Sequence, residues 1–403
     1  MEDQPLTAAL RGLRIIDTTH VLAGPFATYQ LAVLGAEVIK VESPHDPDQA
    51  RWQGVDRNLN NAGMGTSYLA QASNKKSVCL DLKTIEGCEI LKRLVETADV
   101  FVENYRPGAL EALGLGYNAF SNLNPRLIYC SISAFGQTGQ RREETAYDGV
   151  IQAFSGMMAM TGTSAGGPLK CGAPVVDYAT GTTAAFAIAA ALFQRERAGG
   201  RGQFIDVSML DVATMLCSPY VTAHFWNSSI PKLKGNTYPF ATIGCYETED
   251  GLLMLSASNL RQQARLWLAL GRPDQIKSDN NQRLDSHGQE QAVLAEIFLA
   301  RPADEWEFFL KEHRVPAARV RGLEESLKDL QQLERGVLQR HSAAGTAFEN
   351  LTVPVAAFSM SESVPGLTAP PQEAGAQTGE VLRALGYTEG QIAALREARV
   401  INA

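Results

Sequence analysis

Short apolar runs recur through the first half of the chain: "LRIID" (13 to 17), "EVIKVE" (37 to 42), "SVCLDL" (77 to 82), "DVFVEN" (99 to 104) and "LIYCSIS" (127 to 133). Their length and their content of β-branched residues predict strands. Roughly 20 to 40 residues separate them, the room a parallel βαβ crossover requires. Between them, "FATYQLAVLG" (26 to 35) predicts a helix closed by Gly35, and "TIEGCEILKRLVETA" (84 to 98) gathers Ile85, Ile90, Leu91, Leu94 and Val95 near one helical face. Strand and helix alternating in this way predict an α/β fold with an open, Rossmann-like sheet.

The pattern changes after a helix predicted at about 178 to 197. A glycine-rich turn, a strand and a helix start follow in "AGGRGQFIDVSMLD". Residues 240 to 258, "FATIGCYETEDGLLMLSAS", predict two strands joined around Asp250 and Gly251, the residue types of a tight hairpin. Helical segments follow at 260 to 270, 289 to 300 and 303 to 313. The division that results is a large α/β domain over 1 to 225, a smaller α+β domain over 226 to 330, and a segment over 331 to 403 that returns to the large domain. That last segment holds Pro365, Pro370 and Pro371, then two short amphipathic helices in "TGEVLRALGYTEGQIAALREARVI". No internal repeat or low-complexity tract is present.

Composition narrows the partners. The 403 residues are 45% hydrophobic and 20% charged, as in ordinary globular proteins. A formal charge of -8 argues against nucleic acid as the main partner, since phosphate backbones demand a basic face. None of the six cysteines forms a CxxC pair, and the six histidines show no ligand spacing, so no metal site is expected. Reduced thiols and a start without a basic region leading into an apolar stretch fit a cytoplasmic protein. The longest apolar run, "AAFAIAAALF" (184 to 193), falls short of the ~20 residues that span a bilayer and predicts a buried core helix rather than a membrane anchor.

Several nucleotide and hydrolase motifs are weak or missing. "GMGTSY" (63 to 68) and "GLGYNA" (114 to 119) approach a dinucleotide fingerprint, but neither links a predicted strand to a helix. No P-loop and no GxSxG elbow occurs. The first strand runs into "TTHVLAGPFATYQLAVLG", where Gly24 and Pro25 open a helix; such a loop can cradle a phosphate or simply turn a corner. Lys40, Lys75, Lys76 and Arg106 sit near the ends of β units, where open sheets bind ligands. In "GAPVVDYATGTTAAFAIAA" (172 to 190), Asp177 precedes a long small-residue helix. It is placed either to cap that helix, which would lower its pKa, or to hold a fixed carboxylate toward the strand ends.

Nine blocks, in order, resemble the class III CoA-transferases, a family that includes formyl-CoA transferase, carnitine CoA-transferase and succinyl-CoA:glutarate CoA-transferase. They are "LRGLRIIDTTHVLAGPFAT", "LGAEVIKVE", "SNKKSVCLDL", "VFVENYRPGALEALGLGY", "YCSISAFGQTG", "YDGVIQAFSGMM", "PVVDYATG", "GGRGQFIDVSMLD" and the C-terminal "LRALGYTEGQIAALREARVI". The resemblance implies an interlocked homodimer acting on acyl-CoA and a carboxylic acid, with CoA thioester as substrate and no permanently bound cofactor. It puts the nucleophile on Asp177. It also implies that Leu22 and Ala23 line the CoA site through their backbone, that Lys75, Lys76, Asn104, Tyr105 and Arg106 meet its nucleotide end, and that Tyr147 and Asp148 stand near the reacting thioester.

Departures from the family pattern refine this. Leu22 replaces a glutamine of the formyl-CoA branch, and "KGNTYPFATIG" (234 to 244) lacks that branch's four-glycine run, which disfavours oxalate. Related racemases carry a histidine where this chain has Tyr147, a poor base near neutral pH, so transfer is favoured over an α-methylacyl-CoA racemase. A noncatalytic CoA-binding protein is the remaining alternative, and the intact Asp177 block argues against it. Succinyl-CoA with glutarate, citramalate or itaconate is the leading substrate pair, with Arg261 or Lys234 as a partner for a second carboxylate.

Overall fold

A computed structural model describes residues 8–341, 348 and 350–402. The chain divides into two compact units: one reaches to Met157, takes up again over Lys170–Ile230 and runs from Arg335 onward; the other combines Met158–Leu169 with Pro231–Glu334.

The first unit is built on six parallel strands: β1 Arg14–Asp17, β2 Glu37–Glu42, β3 Lys75–Cys79, β4 Val100–Glu103, β5 Ile128–Ser133 and β6 Phe204–Ser208. Their order in the sheet is β3-β2-β1-β4-β5-β6. Both faces are covered, which is why the strands read as nearly continuous apolar runs. On one face Ile16, Ile39, Val78, Phe101 and Tyr129 pack with Leu91 and Leu94 and with Val381, Leu382 and Ile392 from the tail. On the other, Ile15, Val38, Val100, Val102 and Ile128 meet Ala27, Leu31, Ala184 and Ile188. β3 begins at Lys75, two residues before the apolar run, because backbone pairing with Val38 and Ile39 extends through two polar residues. Its outer edge is met by the tail: Ser77 N–H donates to Gln377 Oε1, Gln377 N–H donates to Ser77 O, and Cys79 N–H donates to Thr378 Oγ1.

Three helices set the site. α1 is Ala23–Val33, α2 is Asp148–Phe154 and α3 is Val175–Arg197. α3 is long and apolar enough to cross a membrane by length and composition. It is not buried all round, as its apolar run suggested. Val176, Thr180, Gly181, Ala184, Ile188 and Leu192 face the core, while Phe186 and Phe193 are exposed. Arg195 is buried at its far end in an ion pair with Asp99 at 2.8 Å. Gly181 permits close helix packing: a Cβ there would stand 2.5 Å from the Ala23 carbonyl oxygen. One turn earlier on the same face is Asp177, so this contact brings Asp177 beside the start of α1.

The second unit has its own core. Strands β7 Ile243–Glu247 and β8 Leu252–Ser256 form the hairpin expected around Asp250 and Gly251, and β9 Ala317–Arg319 pairs antiparallel with β8. Helices Leu260–Ala269, His287–Phe298 and Ala303–Glu312 pack Trp267, Phe298 and Trp306 onto this sheet. Residues 158 to 169, assigned by sequence to the large domain, belong here instead. Their two-residue strands, Gly162–Thr163 and Gly167–Pro168, form a small hairpin tied to the second segment by the Gly235 N–H donating to Gly162 O at 2.6 Å. Such short glycine-rich strands carry no hydrophobic period to read.

Candidate active site

The sheet order reverses at β1, whose neighbours β2 and β4 lead to opposite edges. Ligands of open α/β sheets bind in the crevice at the carboxyl ends of the strands flanking such a point. A cavity of about 470 Å³ lies there, beyond β1, β4 and β5. Leu22, Ala23, Asn104, Arg106, Tyr147 and Asp177 all line it. Leu22 and Ala23 are at the start of α1, where backbone N–H groups lack helical partners. Arg106 is exposed and adds a cation to the wall.

The floor is rigid. Asp17, at the end of β1, is fully buried and accepts from Thr19 N–H at 2.9 Å and from the Thr19 and Thr28 hydroxyls at 2.6 Å each. Burial opposes its ionisation, but Lys75 at 3.0 Å, Lys40 and the two hydroxyls outweigh burial and hold the carboxyl well below the usual range. The loop above carries Val21 at φ 71°, an outlier for a β-branched residue. Two buried groups clamp it: Asp48 accepts from Val21 N–H at 2.9 Å and Gln71 Nε2 donates to Val21 O at 2.7 Å. Asp48 is itself paired with buried Lys40 at 3.0 Å. Asn104 locks the preceding residue, accepting from His20 N–H and donating to His20 O, both at 2.8 Å. Burial, then Lys40, lowers the His20 pKa, so its ring is neutral near pH 7.

Asp177 does not cap its helix. Pro174 holds the cap position without a side-chain bond, and Asp177 is the third helical residue. The missing acceptor is supplied by Asp148: its Oδ2 accepts from Val176 N–H at 2.7 Å and Asp177 N–H at 3.2 Å. The expectation that capping would lower the Asp177 pKa is therefore reversed. Burial first, and the Asp148 charge second, push it up to about 7. Asp177 also borders a second cavity of about 280 Å³, which shares Val21 and Leu22 with the first and adds Gln53, Thr66, Ser67 and Tyr178. The nucleophile candidate thus lines both cavities.

The other sequence candidates are distributed differently. Lys75 is buried, donating also to Pro25 O at 2.7 Å, and does not line the cavity. Lys76, at the amino end of β3, pairs with Glu37 and Glu380 away from the cavity. Both are corrected from ligand contacts to partners of acids far off in sequence. Tyr105 stacks edge-on against His20 and lines an adjoining cavity of about 210 Å³ that shares His20 and Asp46 with the first. Lys83, exposed on that cavity, was missed; it follows β3 by four residues and belongs to no recognised block. Asp148 is nine-tenths buried beneath the wall rather than on it. Arg261 and Lys234 are exposed in the second unit, and among the described residues neither forms an ion pair. No group of three or more His, Cys, Asp or Glu among the described residues could hold a metal ion.

The geometry has counterparts. The profile of CoA-transferase family III matches residues 10–378. Human succinyl-CoA:glutarate CoA-transferase is 33% identical over 412 residues, 98% of this chain and 90% of that protein. Succinate–glutarate CoA-transferase of Agrobacterium fabrum is 36% identical over 357 residues, 86% of this chain and 88% of that one. A CAIB/BAIF family protein from Brucella suis superposes with a TM-score of 0.81 at 29% identity, covering 94% of this chain and 100% of that structure. With a parallel sheet, a crevice at its reversal point and this match over nearly the whole length, the chain belongs to CoA-transferase family III.

Proposed function

We propose that the protein moves CoA from succinyl-CoA to a small dicarboxylic acid such as glutarate, with Asp177 as covalent nucleophile. The observation that carries this is the position of Asp177 on the wall shared by two cavities, one able to keep CoA while acids exchange through the other. The Asp177 carboxylate attacks the thioester carbonyl and expels CoA thiolate, leaving a mixed anhydride. The thiolate then attacks the aspartyl carbonyl; the C–O bond breaks, succinate departs, and Asp177 becomes a CoA thioester. The incoming acid repeats both steps in reverse. Electrons and protons balance without oxidant, metal or ATP, so no permanently bound cofactor is proposed.

Arg106 and Lys83 are suited to meet CoA phosphates as charge partners. Leu22 and Ala23 offer backbone donors where charge develops on the reacting oxygen. Gln53, Thr66 and Ser67 give the second chamber neutral polar contacts for an acid. We also infer a cytoplasmic homodimer: Phe225 and Trp226, on the helix Ser218–Asn227, are 85% and 87% exposed, an apolar surface that a second copy would cover.

The test is trapping with succinyl-CoA followed by hydroxylamine or borohydride. Wild-type protein is expected to give a modified Asp177 peptide and Asp177→Ala none. Equal modification in both, or scrambling of a 2-methylacyl-CoA without CoA exchange, would overturn the reading.

A further inference from the structure

We propose that Asp148 is a positioning residue for Asp177: its carboxylate anchors the amino end of α3 and sets a negative charge against the nucleophile, a repulsion that disappears when Asp177 becomes a neutral acyl derivative. The proposal rests on Asp177 being the nucleophile. It begins from an anomaly of helix α3, whose cap residue is Pro174 and offers no side-chain acceptor. The acceptor comes from 29 residues earlier, at the first residue of α2.

The anchor is itself held. Asp148 Oδ1 accepts from Gln152 Nε2 one turn along α2, and Gln152 Oε1 accepts from Cys171 N–H at 2.9 Å. Asp148 is 8% exposed and Gln152 1%. One buried carboxylate therefore fixes α2, the approach to α3 and the backbone of the nucleophile. A neutral serine or asparagine can also cap a helix. A charged group here adds something a cap does not need: it opposes ionisation of its neighbour.

The surroundings leave that charge uncompensated at Asp177. The cavity wall carries His20, Asp46, Arg106 and Tyr147, and α3 itself adds Tyr178. Burial and Asp148 are what act on Asp177, raising its pKa to about 7. A carboxylate made more basic is a stronger nucleophile once ionised. Acylation removes its charge but leaves both N–H bonds to Asp148 in place. The free carboxylate is thus raised in energy relative to the anhydride and thioester, so the interaction favours the reacting states.

The experiment compares wild type with Asp148→Asn, which keeps an acceptor oxygen, and Asp148→Ser, a shorter neutral cap. Carbodiimide modification of Asp177 in the ligand-free protein, followed by peptide mass spectrometry across pH, reads its protonation without turnover. The wild-type midpoint is expected near 7, and at least one pH unit lower in a neutral variant that melts cooperatively. The acidic limb of kcat/KM should move with it, and the fraction held as enzyme-CoA thioester at a fixed succinyl-CoA to succinate ratio should fall several-fold. A wild-type midpoint near 4 overturns the proposal whether or not the variants fold. So does a variant whose rate falls by one factor at every pH with the midpoint unmoved, the mark of a cap alone. Absence of a trapped Asp177 product after succinyl-CoA and hydroxylamine in the wild type overturns the nucleophile reading and this proposal together; a trapped product with an unmoved carbodiimide midpoint overturns this proposal alone.

Discussion

Two aspartates near the same crevice, Asp17 buried beneath its floor and Asp177 in its wall, are driven in opposite directions. Burial penalises the charge of both. Asp17 has Lys75, Lys40 and two threonine hydroxyls to offset the penalty, and its pKa falls. Asp177 has another carboxylate for its neighbour, and its pKa rises to about 7. Residue type and burial therefore do not decide which way a buried acid's pKa moves; the partner does. The satisfied acid holds the loop and sheet together, while the other lines the cavity without a cation beside it.

Removing Lys75 attacks the floor. Lys75→Met leaves Asp17 charged and buried, with an expected loss of about 3 to 5 kcal/mol of stability, visible as a lower denaturation midpoint. The pH limb of the remaining activity should stay near 7, because the wall is untouched. If that limb followed the floor variant, the two acids would not be independent.

Gly181→Ala tests the contact that presents the wall. The added Cβ would press on a backbone oxygen, with an expected cost of about 1 to 3 kcal/mol and a fall in kcat as Asp177 shifts from the start of α1. Unchanged melting and turnover would show that the helices adjust freely.

Asp177→Asn sharpens the contrast through stability. A carboxyl whose folded pKa is raised binds more protons folded than unfolded between about pH 4 and 7, so stability falls as pH rises through that window. The variant should be more stable than wild type at pH 8 by roughly 1 to 2 kcal/mol, less than the full linkage value because the group is partly exposed. The gain should vanish below about pH 4. Calorimetry at the two pH values checks the sign. Arg106→Ala is expected to have the smallest effect: about a tenfold rise in KM for the CoA ester with kcat little changed, as for a contact made equally before and during reaction.

Much of the sheet was legible because strands buried on both faces cannot disguise themselves; β2 spans the same residues, 37 to 42, in sequence and structure. What failed was non-local. Lys75 reads as a cation free for phosphate until Asp17, 58 residues away, is seen beside it. Asp177 reads as a cap because an acid near a helix start usually is one. Only the fold reveals that the acceptor belongs to Asp148, and with it the reversed pKa. The cluster of Leu22, Ala23, Asn104, Arg106, Tyr147 and Asp177 around one cavity came from family resemblance, since spacing alone gave each of these residues an ordinary alternative.

The tail's bonds to the edge of β3 also bear on biosynthesis. The groups that cover Ser77 and Cys79 come from Gln377 and Thr378, some 300 residues downstream, so a growing chain must wait for them through most of its translation. Until then the strand offers unpaired N–H groups to any neighbouring polypeptide, the usual template for aggregation. A chain cut short before Gln377 would keep every residue of the cavity and still be exposed to that hazard.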